Sequence, residues 1–185
     1  FLAGFPVGPL AVTDEVSMTL VEKIRNQTIK DMQAEGKDYI PHPADSVVDR
    51  MLEASRAGKL AGGGFYDYPT SGKKLLWTGL KDAFENSSRA IDLAEIKDRL
   101  LYIQAIETVR CLDEKVLRSV RDANIGSIMG IGYPIWTGGI LQFINQTGLD
   151  VFIERAEALH EQCGDRFAVP NLLKEMARDG LTFKD

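Results

Sequence analysis

His160 is the residue whose surroundings first suggest chemistry, because Glu157 and Cys163 stand three positions to either side of it. On a helix that spacing puts all three on one face, where they could hold a metal or pair a thiol with an imidazole. Zinc needs three or four ligands, and His42 is the one other histidine, so a helix histidine without a metal is the simpler reading and no metal site is expected. The glycines raise a second possibility, phosphate binding. Gly62 and Gly64 approach a dinucleotide fingerprint, but they follow a helix rather than a strand and run into Tyr68-Pro69. Gly58-Lys59 is no phosphate loop either, since the Lys of that motif follows its second Gly and precedes Ser or Thr. Glu107, Arg110, Asp113 and Glu114 read as solvated helix charges. Phe65, Tyr66, Tyr68 and Trp136 read as packing, and Lys73 and Lys74 as solvated lysines that could at most meet a phosphate. No catalytic and no cofactor-binding residue is expected on this chain.

The elements that must position these residues are helices punctuated by Gly and Pro. Thr13 can cap a helix with Asp14 and Glu15 in its first turn and an apolar stripe of Val16, Leu20 and Ile24. A second helix is expected from Pro43 to Gly58, with Val47, Val48, Met51, Leu52 and Ser55 facing inward. Gly62-Gly63-Gly64 and Pro69 forbid its continuation, and a strand or two near Phe65 to Tyr68 is compatible with them. Residues 70–91 read as a linker, with a short helix around Leu80 to Phe84. The strongest pattern follows. Asp92 and Glu95 resemble a capping box, and Leu93, Ile96, Leu100 and Ile103 form a stripe on a helix running to about Asp113. Ser119 with Asp122 caps another helix that stops at Gly130. Asp150 caps one that ends at Cys163-Gly164, and Pro170 opens a last one through Leu172, Leu173 and Met176 to Gly180. Sustained apolar–polar alternation is missing, so the fold class is all-α.

Composition narrows the setting. The chain has 185 residues, enough for one domain or two small halves sharing a core. Its net charge of -5 provides no basic stripe, which argues against nucleic acid. No apolar run is long enough for a membrane span. The start at Phe1-Leu2-Ala3-Gly4-Phe5-Pro6 lacks a basic region for a signal peptide and an initiator Met, and reads as a boundary within a longer chain. Two widely spaced cysteines, Cys111 and Cys163, suit reduced thiols and the cytoplasm.

One motif occurs twice. Gly4-Phe5-Pro6-Val7-Gly8 and Gly132-Tyr133-Pro134-Ile135-Trp136-Thr137-Gly138 share Gly-aromatic-Pro followed by Gly, a sharp corner between helices. The first motif with Pro9 and Asp14, the run Gly63-Gly64-Phe65-Tyr66-Asp67-Tyr68, the segment from Glu107 to Glu114, and the run from Asp122 through Gly132-Tyr133-Pro134 to Gly139 resemble the C-terminal domain of the 3-hydroxyacyl-CoA dehydrogenases. The resemblance covers nearly the whole chain in consistent order and is weakest over residues 70–91. Stand-alone members carry one helical copy. A tandem pair is similar to the multifunctional fatty-acid-oxidation proteins, which join an enoyl-CoA hydratase domain to the dehydrogenase.

That resemblance implies two related helical halves packed as an intramolecular pseudo-dimer, without the Rossmann domain that precedes them in the family. The halves would be 1–69 and 92–185, with 70–91 between them. The whole enzyme would oxidise (3S)-3-hydroxyacyl-CoA to 3-ketoacyl-CoA with NAD. The family's catalytic His and Glu and its NAD site lie in the preceding domain, so His160 inherits no role and this chain alone should be inactive. Phe5, Pro6, Val7 and Pro9 would contribute the wall of the acyl-CoA cleft. The implied partners are acyl-CoA, the Rossmann and hydratase domains, a thiolase subunit and a second copy of this fragment. Two other readings stay open on the residues: a stand-alone helical protein-interaction module, and the helical domain of another hydroxyacid dehydrogenase.

Overall fold

Two short apolar sets, separated in sequence, each gather their own helices. In a computed structural model describing residues 3–84 and 92–184, the chain divides into two units. One is Val7–Arg89; the other joins Phe1–Pro6 to Ala90–Asp185. Helices dominate, and the one sheet among the described residues is a two-stranded hairpin, so the fold class is all-α.

In the Val7–Arg89 unit, Pro9 opens α1 (Pro9–Val16), where its missing N–H costs nothing and its fixed φ suits the first turn. The expected cap is displaced. Thr13 lies inside α1 with its hydroxyl donating to the Pro9 carbonyl at 2.9 Å. Ser17 instead ends α1 with φ of 76° and starts α2 (Met18–Ala34), its Oγ accepting from the Leu20 N–H. The sequence pattern ran across this break because a four-residue apolar spacing is preserved through it. Helix α3 (Asp45–Glu53) is shorter than expected and buries Val48 and Met51. Ser55 is exposed with φ of 59°, so it ends the helix rather than facing inward. A single 3-10 turn at Lys59–Ala61 follows, then β1 (Tyr66–Asp67) pairs antiparallel with β2 (Leu75–Leu76). Helix α4 (Leu80–Phe84) sits where the sequence placed it. The core is small: Met18, Val48, Met51 and Phe65, with Trp77, Leu80 and Phe84 packed against it.

The other unit is built on α5 (Leu93–Asp113). Its expected stripe is covered only at its far end, where Leu100 and Ile103 are half-buried and Ile103 packs against the core. Leu93 and Ile96 are exposed, while Leu101, Tyr102, Ala105, Ile106 and Val109 are buried. Large aliphatics stand on both sides of this helix, and periodicity alone could not tell which side finds neighbours. Nor does the capping box form, because Asp92 makes no side-chain cap and Glu95 pairs with Arg99. Helix α6 (Val120–Ile131) is capped by Ser119, which accepts from the Asp122 N–H at 3.0 Å as expected. It runs one residue past Gly130 and is ended by Gly132 in the left-handed region. Helix α7 (Ile140–Thr147) has no start signal in the sequence, where Gly138-Gly139 mark only the end of a corner. It buries Ile140, Leu141, Phe143 and Ile144 against α5. Gly148, not Asp150, precedes α8 (Leu149–Cys163), and α9 (Asn171–Arg178) begins after Pro170.

The centre of this unit is aromatic. Tyr102 stacks on Phe152 with centroids 4.4 Å apart and meets Phe143 edge-on at 5.6 Å. Each such buried ring stabilises the fold by about 2–3 kcal/mol through the area it removes from water. Burial, with the Asp98 carboxylate nearby, pushes the Tyr102 hydroxyl up to about 12. Since its ordinary value is 10.0, the fold favours the neutral phenol, and that stabilisation is complete below pH 10 and lost as pH rises to about 12. Urea unfolding should therefore show a stability decline across that window, and Tyr102→Phe should make the decline shallower. An unchanged slope in the variant would remove Tyr102 as the source.

Candidate functional site

Glycine sets the geometry of both corners. Gly4 has φ of 88° and Gly132 φ of 69°, a region other residues avoid. A Cβ on Gly4 would lie 2.7 Å from Trp136 Nε1 and 2.9 Å from Pro134 Cβ, and one on Gly132 would lie 2.9 Å from Pro6 Cγ. Each corner's glycine thus receives the other corner's proline. Phe5 meets Tyr133 edge-on, centroids 5.9 Å apart at 89°. Burial raises the Tyr133 phenol, whose hydroxyl donates to the Leu101 carbonyl at 3.3 Å. Between the corners lies a cavity of about 260 Å³ lined by Gly4, Pro6, Ile128, Gly132, Tyr133 and Ile135. Of the four expected cleft residues, Phe5 and Pro6 cluster with Tyr133, while exposed Val7 and Pro9 belong to the other unit.

The Gly63-Gly64-Phe65-Tyr66 run is explained by a residue that the chemical reading passed over. Asp14 is 1% exposed, and its carboxylate accepts the Phe65 N–H at 2.8 Å, the Tyr66 N–H at 2.9 Å and the Tyr68 hydroxyl at 2.9 Å. Burial, and then the Asp14 carboxylate, hold the Tyr68 phenol well above its ordinary range. A Cβ on Gly64 would stand 2.0 Å from Asp14 Oδ1, so only glycine lets the strand approach. Gly58, with φ of 134°, lies against the Asp14 carbonyl in the same way. Arg56 closes the other side. Its Nε donates to the Gly64 carbonyl at 2.6 Å, its Nη2 to Asp67 Oδ1 at 2.6 Å, and its guanidinium lies 4.4 Å from the Trp77 ring centroid. These glycines make room for a carboxylate already present. A pyrophosphate would meet that negative charge, and the run is not the start of a helix, so the residues do not fit a dinucleotide.

The remaining candidates scatter. His160 Nδ1 is 3.9 Å from Asp165 Oδ1 and enclosed without a hydrogen-bond partner, while the side chain is 40% exposed. No group of three or more His, Cys, Asp or Glu among the described residues could hold a metal ion. Cys111 and Cys163 are free and half-buried. His42 Nδ1 accepts the Ala44 N–H, and Lys74 lies over the Tyr66 ring. Arg110 is less solvated than expected. It pairs with Glu107 at 3.1 Å and also donates to the Ala168 carbonyl at 3.0 Å, tying α5 to the segment before α9. Trp136 lies against Gly4 as a packing residue but is 56% exposed, with Lys97 Nζ 5.6 Å from its centroid. Asn124 was also missed; its buried carbonyl accepts the Leu141 and Gln142 N–H groups and so caps α7.

Removing the carboxylate in Asp14→Ala leaves two backbone donors unanswered and should cost about 3 kcal/mol. Gly64→Ala should destabilise the same unit by displacing the carboxylate. Urea unfolding followed at the Trp77 fluorescence checks both, and wild-type midpoints would refute the clasp.

Comparison with known proteins gives the following similarities. Residues 1–68 match the family model described as 3-hydroxyacyl-CoA dehydrogenase, C-terminal domain. The chain is 34% identical over 184 residues to the fatty acid oxidation complex subunit alpha of Idiomarina loihiensis, covering 97% of this chain and 25% of that protein. It is 35% identical over 185 residues to the subunit of the same name from Vibrio vulnificus, again 25% of that protein. The chain thus spans about a quarter of the length of the curated relatives it matches. Its fold resembles the dehydrogenase part of multifunctional enzyme 1 from C. elegans, with a TM-score of 0.68 and 24% identity, covering 94% of this chain and 39% of that one. No helix among the described residues is long and apolar enough to cross a membrane.

Proposed function

We propose, from the 3-hydroxyacyl-CoA dehydrogenase C-terminal domain matched at residues 1–68, that this chain is the helical C-terminal part of a multifunctional fatty-acid-oxidation enzyme. The whole enzyme oxidises (3S)-3-hydroxyacyl-CoA to 3-ketoacyl-CoA with NAD, and joins that dehydrogenase to an enoyl-CoA hydratase. The observation that carries this reading is 34% identity along 97% of the chain to an alpha subunit of a fatty acid oxidation complex. The cofactor and the catalytic pair belong to a domain outside this chain. Its own contribution is shape. Hydride transfer needs a fixed approach and excluded water, and rigid Gly-Pro corners supply a wall that does not yield. In this reading Phe5, Pro6, Val7 and Pro9 form part of that wall, and the chain alone is inactive. The further partners are a thiolase subunit and a second copy of the chain, and the setting is the cytoplasm.

The second half is a repeat of the first, and its role is to stand in for the partner subunit that a single-copy dehydrogenase recruits. Backbone conformation supports the duplication. Positive φ recurs in the same order at Gly4 and Gly132, Ser17 and Gly148, Gly36 and Gly164, and Ser55 and Gly180. The first pair precedes α1 and α7, the second separates α1 from α2 and α7 from α8, and the others follow α2 and α8, then α3 and α9. The reciprocal seating of Pro6 and Pro134 on the opposite glycines has the form of an isologous contact made within one chain.

Replacing the corresponding segment of the Vibrio vulnificus subunit by this chain tests the function. The hybrid should reduce NAD with a (3S)-3-hydroxyacyl-CoA, and Val7→Asp within it should raise KM about tenfold by placing a charge on an apolar wall. A folded hybrid without dehydrogenase activity would defeat the reading. Truncation after Ile91 should leave Phe5 without Tyr133 and yield a self-associating or aggregating first half. A soluble monomeric product would refute the stand-in role.

A further inference from the structure

In the Val7–Arg89 unit a cavity of about 340 Å³ opens among Leu10, Val47, Phe65, Leu80 and Phe84, and its lining is entirely apolar. Two parts of the chain meet there. Leu10, Val47 and Phe65 lie within residues 1–68, which match the dehydrogenase C-terminal domain, whereas Leu80 and Phe84 come from α4, beyond the match. The walls are fixed from behind. Phe65 is 6% exposed, and its N–H is held by the Asp14 carboxylate. Arg50 on α3 donates to the Ala83 carbonyl and lays its guanidinium 5.3 Å from the Phe84 ring centroid, which ties α4 to α3. Water in such a hollow finds no hydrogen-bond partner on the walls, so the guest that gains by entering is apolar. Leu10 is 38% exposed and stands at the mouth, in the first turn of α1 beside Pro9.

We propose that this pocket receives the far end of a long acyl chain, and that Leu80 and Phe84 set the chain-length preference. The inference rests on the dehydrogenase reading, in which Val7 and Pro9 form part of the acyl-CoA cleft wall, and it adds the substrate class. The start of α1 carries that wall directly to the mouth at Leu10. An alkyl tail needs no polar anchor of its own. Its thioester end is held elsewhere, and the pocket has only to remove methylenes from water, a gain that grows with each one buried. A four-carbon acyl group has a single carbon beyond the reacting C3 and is too short to enter, whereas a twelve-carbon chain fills the hollow. Without Leu80 and Phe84 the hollow loses the walls that lie beyond the matched domain. The segment between the halves therefore gauges the substrate as well as joining them.

The hybrid with the Vibrio vulnificus subunit tests it, assayed by NADH formation with four-carbon and twelve-carbon (3S)-3-hydroxyacyl-CoA. The ratio of kcat/KM for twelve over four carbons should be at least about tenfold in favour of the longer chain. Leu80→Trp and Val47→Phe each fill the hollow and should lower that ratio about tenfold. Because the ratio is taken within one protein, a smaller folded fraction leaves it unchanged and a blocked pocket moves it. A hybrid that oxidises both lengths equally well overturns the pocket and leaves the dehydrogenase reading standing. So does a ratio that neither substitution moves. A hybrid inactive on both lengths defeats that reading, and the role of the pocket falls with it.

Discussion

A carboxylate removed from water has to be answered by donors, and in the Val7–Arg89 unit that requirement arranges everything else. Asp14 sits on α1, and its three donors come from a strand and a tyrosine more than fifty positions away. The apolar core there is too small to hold a long loop in place by burial alone. Charge-assisted hydrogen bonds supply direction that hydrophobic contact lacks, and they fix which strand residue faces α1. Gly58 and Gly64 are consequences of that contact rather than independent features. Arg56 holds the outer side of the same loop, so the glycine run lies between an acid and a base.

The other unit solves the same problem with aromatic packing. Tyr102, Phe143 and Phe152 surround one another, and Tyr133 carries the contact outward to Phe5. Buried polar groups remain, but they serve helix ends: Asn124 caps α7, and the Ser127 hydroxyl accepts the Ile140 N–H. The two units therefore have different interiors, one fixed by a buried acid and the other by rings.

Several elements were legible because a local signal was enough. Ser119 before Asp122 fixed the start of α6, Pro170 the start of α9, and Gly164 the end of α8, since caps and φ restrictions act within a few residues. The doubled Gly-aromatic-Pro corner and the order of the motifs carry the resemblance to the dehydrogenase C-terminal domain in the sequence itself. Local signals also misled. Thr13 has the chemistry of a cap but lies inside a helix, and Leu93 and Ile96 begin a stripe that is covered only at its far end.

Sequence by itself determined that this chain is helical and where most of its helices end. Those properties follow from backbone restriction and residue type. Tertiary structure alone decided which face of α5 is buried, that Asp14 is an acceptor rather than a solvated helix acid, and that Pro6 and Pro134 seat on each other's glycines. The reason is range. Each depends on partners from 32 to 130 positions distant, and residue type records what a side chain can do but not which neighbour folding will bring to it.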